Sequence, residues 1–175
     1  GAYPGLEAEE QNVGATIAES LQAMAGVRVP TMAVVIGEGG SGGALAIGLA
    51  DCVLMLENAI FSVITPEGAA SILWKDKDKA KDAAAALQLT ADRLQALGLI
   101  DGIVPEPLGG AHKDFGKTAD ALKTEIVRRL SELMALPESD LLARRYARYR
   151  GIGRFVLAPI PTPDALPPAA DAARY

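Results

Sequence analysis

The sequence predicts an α/β fold, because short apolar runs with the composition of strands alternate with segments of helical periodicity. A purely doubly wound sheet fits poorly, since two of these runs, 52–56 and 60–64, are separated by only three residues. These two runs form either a tight hairpin or one bent ribbon. With 175 residues, the chain has the length of one ordinary domain that can bury a sizeable core.

The first predicted elements are a helix, a strand and a second helix. Apolar residues recur at helical spacing over 13–25, and Thr16 and Glu19 within this stretch have the spacing of a capping box. An apolar, partly β-branched run predicts a buried strand over 31–36. Residues 44–50 are apolar on every side, which predicts a helix that is buried all round.

The later elements follow from caps, breakers and periodicity. Thr65-Pro66-Glu67 supplies a capping hydroxyl, a proline and an acid, the residues typical of a helix start. The predicted elements are a helix over 65–74, a solvated loop or exposed helix start over 75–82, helices over 83–89 and 90–97, a strand over 99–104, a long amphipathic helix over 118–136 and an arginine-rich helix after Pro137.

The predicted domain covers residues 1–156. It is followed by a tail, 157–175, whose five prolines in nineteen residues predict an extended or disordered segment. The chain opens with the turn-forming residues Gly1-Ala2-Tyr3-Pro4-Gly5 and has no initiator methionine. Because such a loop normally follows a strand, we expect the chain to be part of a longer protein and to lack the N-terminal part of its domain.

Charge and cysteine content exclude several classes of protein. The net charge of −5 argues against a nucleic-acid-binding protein that works through bulk positive charge. The single cysteine, Cys52, excludes an internal disulfide and a four-cysteine metal site, and no metal ligands are predicted. No apolar run approaches the roughly 18–20 residues that span a bilayer. Since no signal segment opens the chain, a cytoplasmic location is expected.

Residues 31–50 are the most informative stretch, because glycines crowd between a predicted strand and a predicted helix. This arrangement places bare backbone N–H groups at the positive end of a helix. Such groups bind either a phosphate or an oxyanion that forms only during a reaction. The glycines are Gly37, Gly39, Gly40, Gly42 and Gly43.

A dinucleotide-binding oxidoreductase is one alternative. The segment Gly37–Gly42 fits G-x-G-x-x-G, and Glu57 stands where the ribose-binding acid of an NAD(P)-dependent enzyme would lie. Against this alternative, Glu57 leads into another strand, so the second βα unit of such a fold is missing. A P-loop is excluded, because no Lys-Ser/Thr pair follows the glycines.

Side chains near the glycines offer little catalysis. Ser41 could act as a nucleophile only with a base, and nothing in the sequence places the single histidine, His112, beside it. A structural role is therefore favoured for Ser41, and Glu38 is expected to orient the loop. A site of amides without a side-chain base suits a reaction whose reactants carry the base, such as one that forms an enolate or ureido oxygen.

The helix after Pro137 carries arginines interleaved with tyrosines. It could meet phosphates or an acidic partner, but a solvated helix face is the simpler expectation. The residues concerned are Arg144, Arg145, Tyr146, Arg148, Tyr149 and Arg150.

Four motifs together resemble the α-subunit family of bacterial acetyl-CoA carboxylase carboxyltransferases. They occur in the order found in that family and extend over residues 1–150. The motifs are Gly1-Ala2-Tyr3-Pro4-Gly5 with Ala8-Glu9-Glu10, the run from Val35 to Ala46, Pro66-Glu67-Gly68 with the run from Ser71 to Lys75, and the run from Ile103 to His112.

The resemblance implies a crotonase-like fold of stacked ββα turns, present here in part and followed by C-terminal helices. It implies transfer of a carboxyl group from carboxybiotin, supplied in trans by the biotin carboxyl carrier protein, to acetyl-CoA, which gives malonyl-CoA for fatty-acid synthesis. The implied partners are a β subunit in an α2β2 heterotetramer, the carrier protein and the ATP-binding biotin carboxylase. No cofactor bound tightly by this chain, no DNA and no membrane are expected.

The resemblance also implies site residues. The backbone N–H groups of Gly42 and Gly43 would form an oxyanion hole for a carbonyl oxygen of biotin, while the β subunit holds the enolate of the acetyl thioester. The ring nitrogen of biotin would serve as the base, in agreement with the missing side-chain base. The carboxybiotin pocket would be lined by Gly39, Gly40, Ser41 and Ala44.

The chain departs from the family pattern at several places. Residues 11–14 read Gln-Asn-Val-Gly where the family has Arg-Gly-Gln-Ser, so the local helix start is not expected to follow the family. Phe61 and Ala69 stand where the family has tyrosine and cysteine, so neither of those side chains can be required for the chemistry. The family carries about as much chain again before Gly1, and we expect this piece alone to be inactive.

Overall fold

Five short strands form two small sheets, and helices connect them. The computed structural model describes residues 5–153. The strands are β1 (Met32–Val35), β2 (Glu38–Gly40), β3 (Cys52–Leu56), β4 (Ile60–Ser62) and β5 (Gly102–Val104). The helices are α1 (Leu6–Glu10), α2 (Val13–Gly26), α3 (Ser41–Ile47), α4 (Pro66–Trp74), α5 (Ala80–Leu87), α6 (Ala91–Ala96), α7 (Phe115–Met134) and α8 (Glu138–Arg150), with 3-10 turns at Lys77–Lys79 and Ala111–Lys113.

The larger sheet has the strand order β1-β3-β5, and all its strands run parallel. Every residue of the central strand β3 is buried, which explains why its sequence is apolar throughout instead of alternating. The smaller sheet pairs β2 with β4, also in parallel. Of the two alternatives for 52–64, the tight hairpin is therefore excluded, and the bent connection is the one found. The chain bends at 57–59 from one sheet into the other, because each strand pairs with a partner that is distant in sequence.

The predicted glycine turn is in part a strand, since residues 38–40 form β2. A Cβ at Gly39 would lie 3.1 Å from the side chains of both Phe61 and Val35, so the close approach of β4 requires a glycine there. Helix α3 follows directly, which places it three residues before the predicted start at 44. The expectation that this helix is buried all round is wrong, since Leu45 and Ile47 are exposed.

Two helices begin where a polar side chain caps them. Helix α4 begins at Pro66 as predicted, and the Thr65 hydroxyl accepts a hydrogen bond from the Gly68 N–H at 3.1 Å. Helix α7 begins three residues before the predicted start at 118, because the Asp114 carboxylate accepts a hydrogen bond from the Lys117 N–H at 3.0 Å. Both starts are determined by local sequence.

The predicted capping box at Thr16 and Glu19 is wrong. Helix α2 already begins at Val13, and the Thr16 hydroxyl lies inside it and donates a hydrogen bond to the Asn12 carbonyl oxygen at 3.4 Å. Asn12 itself adopts the left-handed conformation with φ 57°, which asparagine tolerates better than most residues. This residue separates α1 from α2, in the segment where the sequence departs from the family pattern.

The main apolar core surrounds β3 and includes Leu54, Met55 and Leu141. A smaller cluster forms where Ala69 and Ala70 of α4 meet Ala83 of α5, so Ala69 fills a packing position. Burial raises the pKa of the Cys52 thiol to about 11, and the nearby Asp101 carboxylate adds to the rise. Cys52 therefore stays protonated and packs as an apolar group.

The arginine-rich helix α8 does not present a merely solvated face. The Arg145 side chain is buried and donates hydrogen bonds from Nε and Nη2 to the two carboxylate oxygens of Asp51 at 2.8 and 2.6 Å. Arg148 pairs with the Asp101 carboxylate and donates to the Leu99 carbonyl oxygen at 3.0 Å. These partners are 94 and 47 residues away, so helical periodicity cannot reveal them.

Only part of that helix matches the solvated face that the sequence predicts. The residues on the exposed side are Arg144, Tyr146 and Arg150. No helix within residues 5–153 is both long and apolar enough to cross a membrane. The predicted tail, 157–175, lies outside the described residues, as do residues 1–4.

The Asp51 carboxylate has a second set of donors. The Thr31 N–H and hydroxyl both donate to it at 2.8 Å. Burial alone would raise the pKa of Asp51, but the hydrogen bonds from Arg145 and Thr31 hold it below the ordinary value of 3.8. The pair therefore stabilises the fold above that pH, and its contribution is lost as the pH falls through the lowered pKa.

Replacement of Asp51 by asparagine should destabilise the full-length protein by about 3–5 kcal/mol, because the buried Arg145 loses its counter-charge. Urea unfolding at neutral pH measures this loss. In the wild-type protein, the Asp51 carboxylate makes stability fall on acidification, and this part of the pH dependence should be absent in the variant. Glu138→Gln is the control, since it removes an ion pair with Arg28 whose side chains are 50% and 71% exposed. Equal losses in both variants would contradict the assignment.

A methyl group at residue 42 should crowd the contact between α2 and α3. A Cβ there would lie 3.0 and 3.1 Å from the Cδ1 and Cγ2 atoms of Ile17, so Gly42→Ala should cost about 1–3 kcal/mol of unfolding free energy. Ile17→Val shortens the opposing side chain and should recover part of that loss in the double variant. Strictly additive effects in a double-mutant cycle would show that the two residues are not in contact.

Candidate functional site

The glycine segment passes from β2 into α3 through a strained residue. Gly40 is extended, with φ −132° and ψ 156°, and acts as the N-cap of α3. Ser41, the first helical residue, has φ 61° in the left-handed region, which is unfavourable for a serine. A left-handed residue next to right-handed ones turns successive N–H groups toward one side, an arrangement that binds anions.

The N–H groups of Gly42 and Gly43 lie in the first turn of α3, where a helix offers them no acceptor. Within residues 5–153, neither N–H donates a hydrogen bond to another protein group. Neither donor is therefore occupied by a protein acceptor from the described residues.

A cavity of about 890 Å³ lies between α2, β1 and the glycine segment, and its surface is mostly apolar. Of the predicted site residues, Gly39, Gly43 and Ala44 line this cavity, whereas Gly40, Ser41 and Gly42 do not. Gly42 instead packs against Ile17. The structure thus brings three of the six predicted residues to the lining of one cavity, and the other three are adjacent to them in the chain.

Several cavity residues were not expected from the sequence. Helix α2 contributes Val13, Ile17 and Met24 from one face, and Phe61 of β4 closes another side. The helical spacing over 13–25 marks this face as apolar, but periodicity alone does not distinguish a cavity wall from core packing. The packing of α2 beside α3 is what places this apolar face on the cavity and not in the core.

The predicted side-chain roles near the glycines are not visible in the structure. Glu38 is exposed, and its carboxylate accepts no hydrogen bond from the described residues, so the expected orienting role has no support. His112 lies in the turn Ala111–Lys113, and within residues 5–153 no hydrogen bond joins it to Ser41. Within this part of the chain, His112 therefore does not serve Ser41 as the base that a nucleophile requires.

Glu57, the candidate ribose ligand, is engaged in holding a loop. Its carboxylate accepts a hydrogen bond from the Glu106 N–H at 3.2 Å, and the Glu106 carboxylate accepts from the Asn58 and Ala111 N–H groups at 2.9 and 2.7 Å. Burial would raise the pKa of Glu106, but the hydrogen bonds from Asn58 and Ala111 lower it. These carboxylates anchor the segment 105–111 to the end of the larger sheet.

Comparison with protein families gives a match that covers all the described residues and most of the chain. Residues 1–153 match the family model described as acetyl co-enzyme A carboxylase carboxyltransferase-like. The dinucleotide-binding alternative receives no support from this match or from the relatives below.

Curated relatives carry the same family name. The chain is 60% identical over 153 residues to the acetyl-coenzyme A carboxylase carboxyl transferase subunit alpha of Methylococcus capsulatus, covering 87% of this chain and 48% of that protein. It is 57% identical over 155 residues to the subunit alpha of Deinococcus radiodurans, covering 89% of this chain and 49% of that protein. The chain thus spans about half the length of the curated relatives that it matches.

Solved structures share the fold at low sequence identity. A Pseudomonas malonate decarboxylase hetero-tetramer in complex with coenzyme A aligns with a TM-score of 0.66 and 21% identity, covering 84% of this chain and 60% of that chain. Transcarboxylase 12S aligns with a TM-score of 0.53 and 20% identity, covering 90% and 27%. These likenesses confirm the crotonase-like fold expected from the sequence. The family match over residues 1–153 shows that this chain belongs to the acetyl co-enzyme A carboxylase carboxyltransferase-like family.

Proposed function

We propose that the full-length protein containing this chain is the α subunit of an acetyl-CoA carboxyltransferase, which moves a carboxyl group from carboxybiotin to acetyl-CoA and forms malonyl-CoA. The observation that carries the proposal is the pair of unpaired N–H groups at Gly42 and Gly43, since Gly43 lies on the wall of an apolar cavity. The family to which the chain belongs indicates carboxyl transfer as the reaction in which such donors would act.

The residues present are compatible with a carboxybiotin site. The near-planar ureido ring of carboxybiotin, with its carbonyl oxygen and the carboxylate on one ring nitrogen, suits a cavity with an apolar wall and hydrogen-bond donors at one point. When bound, carboxybiotin would supply the carboxyl group and, through its ring nitrogen, the base for the acetyl methyl proton. Gly39 and Ala44 would form part of the pocket wall. Gly40 and Ser41 do not line the cavity and would contribute only through the backbone conformation of the glycine segment.

The task of the chain is electrostatic. Peptide N–H groups held by α3 stabilise negative charge as it appears on the carbonyl oxygen, and one such donor is worth about 2.7–4 kcal/mol. An apolar wall lowers the local dielectric, so each hydrogen bond beside it would be stronger than in bulk solvent. Because the reactants carry the base, the missing partnership between Ser41 and His112 is no obstacle.

The partners belong to the same proposal. A β subunit in an α2β2 assembly would hold the acetyl thioester, and the biotin carboxyl carrier protein, recharged by biotin carboxylase, would deliver carboxybiotin in trans. The name of the relatives, subunit alpha, supports a multi-subunit enzyme. Acetyl-CoA as substrate, fatty-acid synthesis as pathway and the cytoplasm as location follow from the same proposed identity.

Replacement of Gly43 by proline in the full-length subunit tests the amide donors. Proline is tolerated in the first turn of a helix but has no N–H, so carboxyl transfer should fall about 10²–10³-fold while assembly with the partner subunit persists. Malonyl-CoA formation gives the rate, and size-exclusion chromatography gives the assembly state.

The matched control is Gly116→Pro, which makes the same change in the first turn of α7. This control should leave the rate of carboxyl transfer within about twofold, because surface changes away from a site have small effects. Unchanged turnover in the Gly43→Pro enzyme would leave the glycine segment with a packing role only and would overturn the proposed mechanism.

The separated chain of 175 residues offers a second test. We expect it to form no malonyl-CoA by itself, because the proposed acetyl-CoA site lies on another subunit. Addition of the partner subunit to the full-length protein should restore transfer in the same assay. Turnover by the isolated chain would refute the shared-site proposal.

A further inference from the structure

The far end of α3 is held by a tyrosine from the C-terminal helix. The Tyr149 hydroxyl lies 2.9 Å from the Gly48 carbonyl oxygen, 2.7 Å from the Ala50 carbonyl oxygen and 2.8 Å from the Ala50 nitrogen. It accepts the Ala50 N–H and can donate its single proton to either carbonyl. One hydroxyl thus holds the three residues that end α3 and lead into β3.

Tyr149 reaches this point from a rigid support. One turn earlier in α8, the Arg145 guanidinium holds Asp51, which directly follows Ala50. The neighbouring Arg148 holds Asp101, at the other side of β3. The Tyr149 hydroxyl is therefore held relative to the larger sheet by ion pairs that involve no residue of α3.

Gly48 is confined from a second direction. A Cβ at this position would lie 3.2 Å from the Phe61 ring and 3.0 Å from the Ala44 carbonyl oxygen. Phe61 belongs to β4, which pairs with β2 immediately before α3. The C-terminal end of α3 is thus held between the smaller sheet on one side and the tyrosine hydroxyl on the other.

We propose that Tyr149 is a positioning residue for the oxyanion-binding amides of Gly42 and Gly43, acting through α3. The proposal rests on the function proposed above. Helix α3 has only seven residues, and Gly43 precedes Gly48 by five, or about 7.5 Å along the axis. A displacement at Gly48 therefore reaches the amide donors through little more than one rigid turn.

The size of the effect follows from the precision that catalysis requires. A donor that stabilises developing charge must lie within about 0.5 Å of its productive position, and errors near 1 Å can cost 10²-fold in rate. Burial raises the pKa of the Tyr149 hydroxyl, so it stays protonated and keeps both its donor and its acceptor function near neutral pH. Phenylalanine would preserve the ring and remove only the hydroxyl bonds.

Tyr149→Phe in the full-length protein, assembled with its partner subunit, tests the proposal. We expect kcat for carboxyl transfer to fall about tenfold, with KM for acetyl-CoA changed less than about twofold, because the proposed acetyl-CoA site lies elsewhere. Amide hydrogen exchange should accelerate in 41–50 and remain unchanged in α5 and α6, to which the Tyr149 hydroxyl makes no hydrogen bond.

Two controls separate positioning from stability. Tyr146→Phe removes a hydroxyl from the same helix at a side chain that is 70% exposed, and it should change neither kcat nor exchange. Leu141→Ala removes a buried side chain of α8 from the main core cluster, whose members include no residue of α3, so it should lower the thermal midpoint but leave kcat within about twofold at temperatures where the enzyme stays folded.

Each result decides the proposal. In the Tyr149→Phe enzyme, a tenfold lower kcat together with faster amide hydrogen exchange confined to 41–50 supports the positioning role. A kcat equal to that of Tyr146→Phe, or an equal fall of kcat in Leu141→Ala, overturns it. If the wild-type assembly transfers no carboxyl group, the proposed function fails, and hydrogen exchange still decides the mechanical claim. Acceleration confined to 41–50 would support it, and uniform acceleration or none would refute it.

Discussion

The buried carboxylate of Asp51 is the group on which the arrangement of this chain depends. It accepts hydrogen bonds from the N–H and hydroxyl of Thr31, just before β1, and from two nitrogens of Arg145 in α8. Arg145 also donates to the carbonyl oxygens of Val27 and Val29, between α2 and β1. A buried charge without partners is costly, so these segments can meet in only one way.

That arrangement determines where α3 lies, and α3 determines where the proposed amide donors lie. At its start, the pairing of β2 with β4 brings the chain to Ser41, whose left-handed backbone costs about 1–3 kcal/mol. At its end, Gly48 and Ala50 are held by the Tyr149 hydroxyl. A short helix fixed at both ends can keep a strained residue and two unpaired N–H groups in place, which is the preorganisation that stabilisation of charge requires.

Sequence-based prediction succeeded where the cause is local. The start of α4 follows from Thr65 and Pro66, and β3 follows from a continuous apolar run. It was incomplete where partners are remote. For 52–64 the sequence left a hairpin and a bent ribbon open, whereas the structure places the two strands in different sheets, and the ion pairs of Arg145 and Arg148 were not expected. Part of the glycine segment is a strand because it pairs with β4, where Phe61 lies opposite Gly39 and close to it.

By itself, the sequence determined the α/β class, most helices, the central strand and the motifs that resemble the family, since composition, capping and spacing are properties of neighbouring residues. The tertiary structure decided which glycine lines a cavity, which packs on Ile17, and which arginines are buried. The physical reason is that cavity walls and ion pairs are made by residues tens of positions apart. Their meeting depends on parallel strand pairing and helix packing, which no local pattern records.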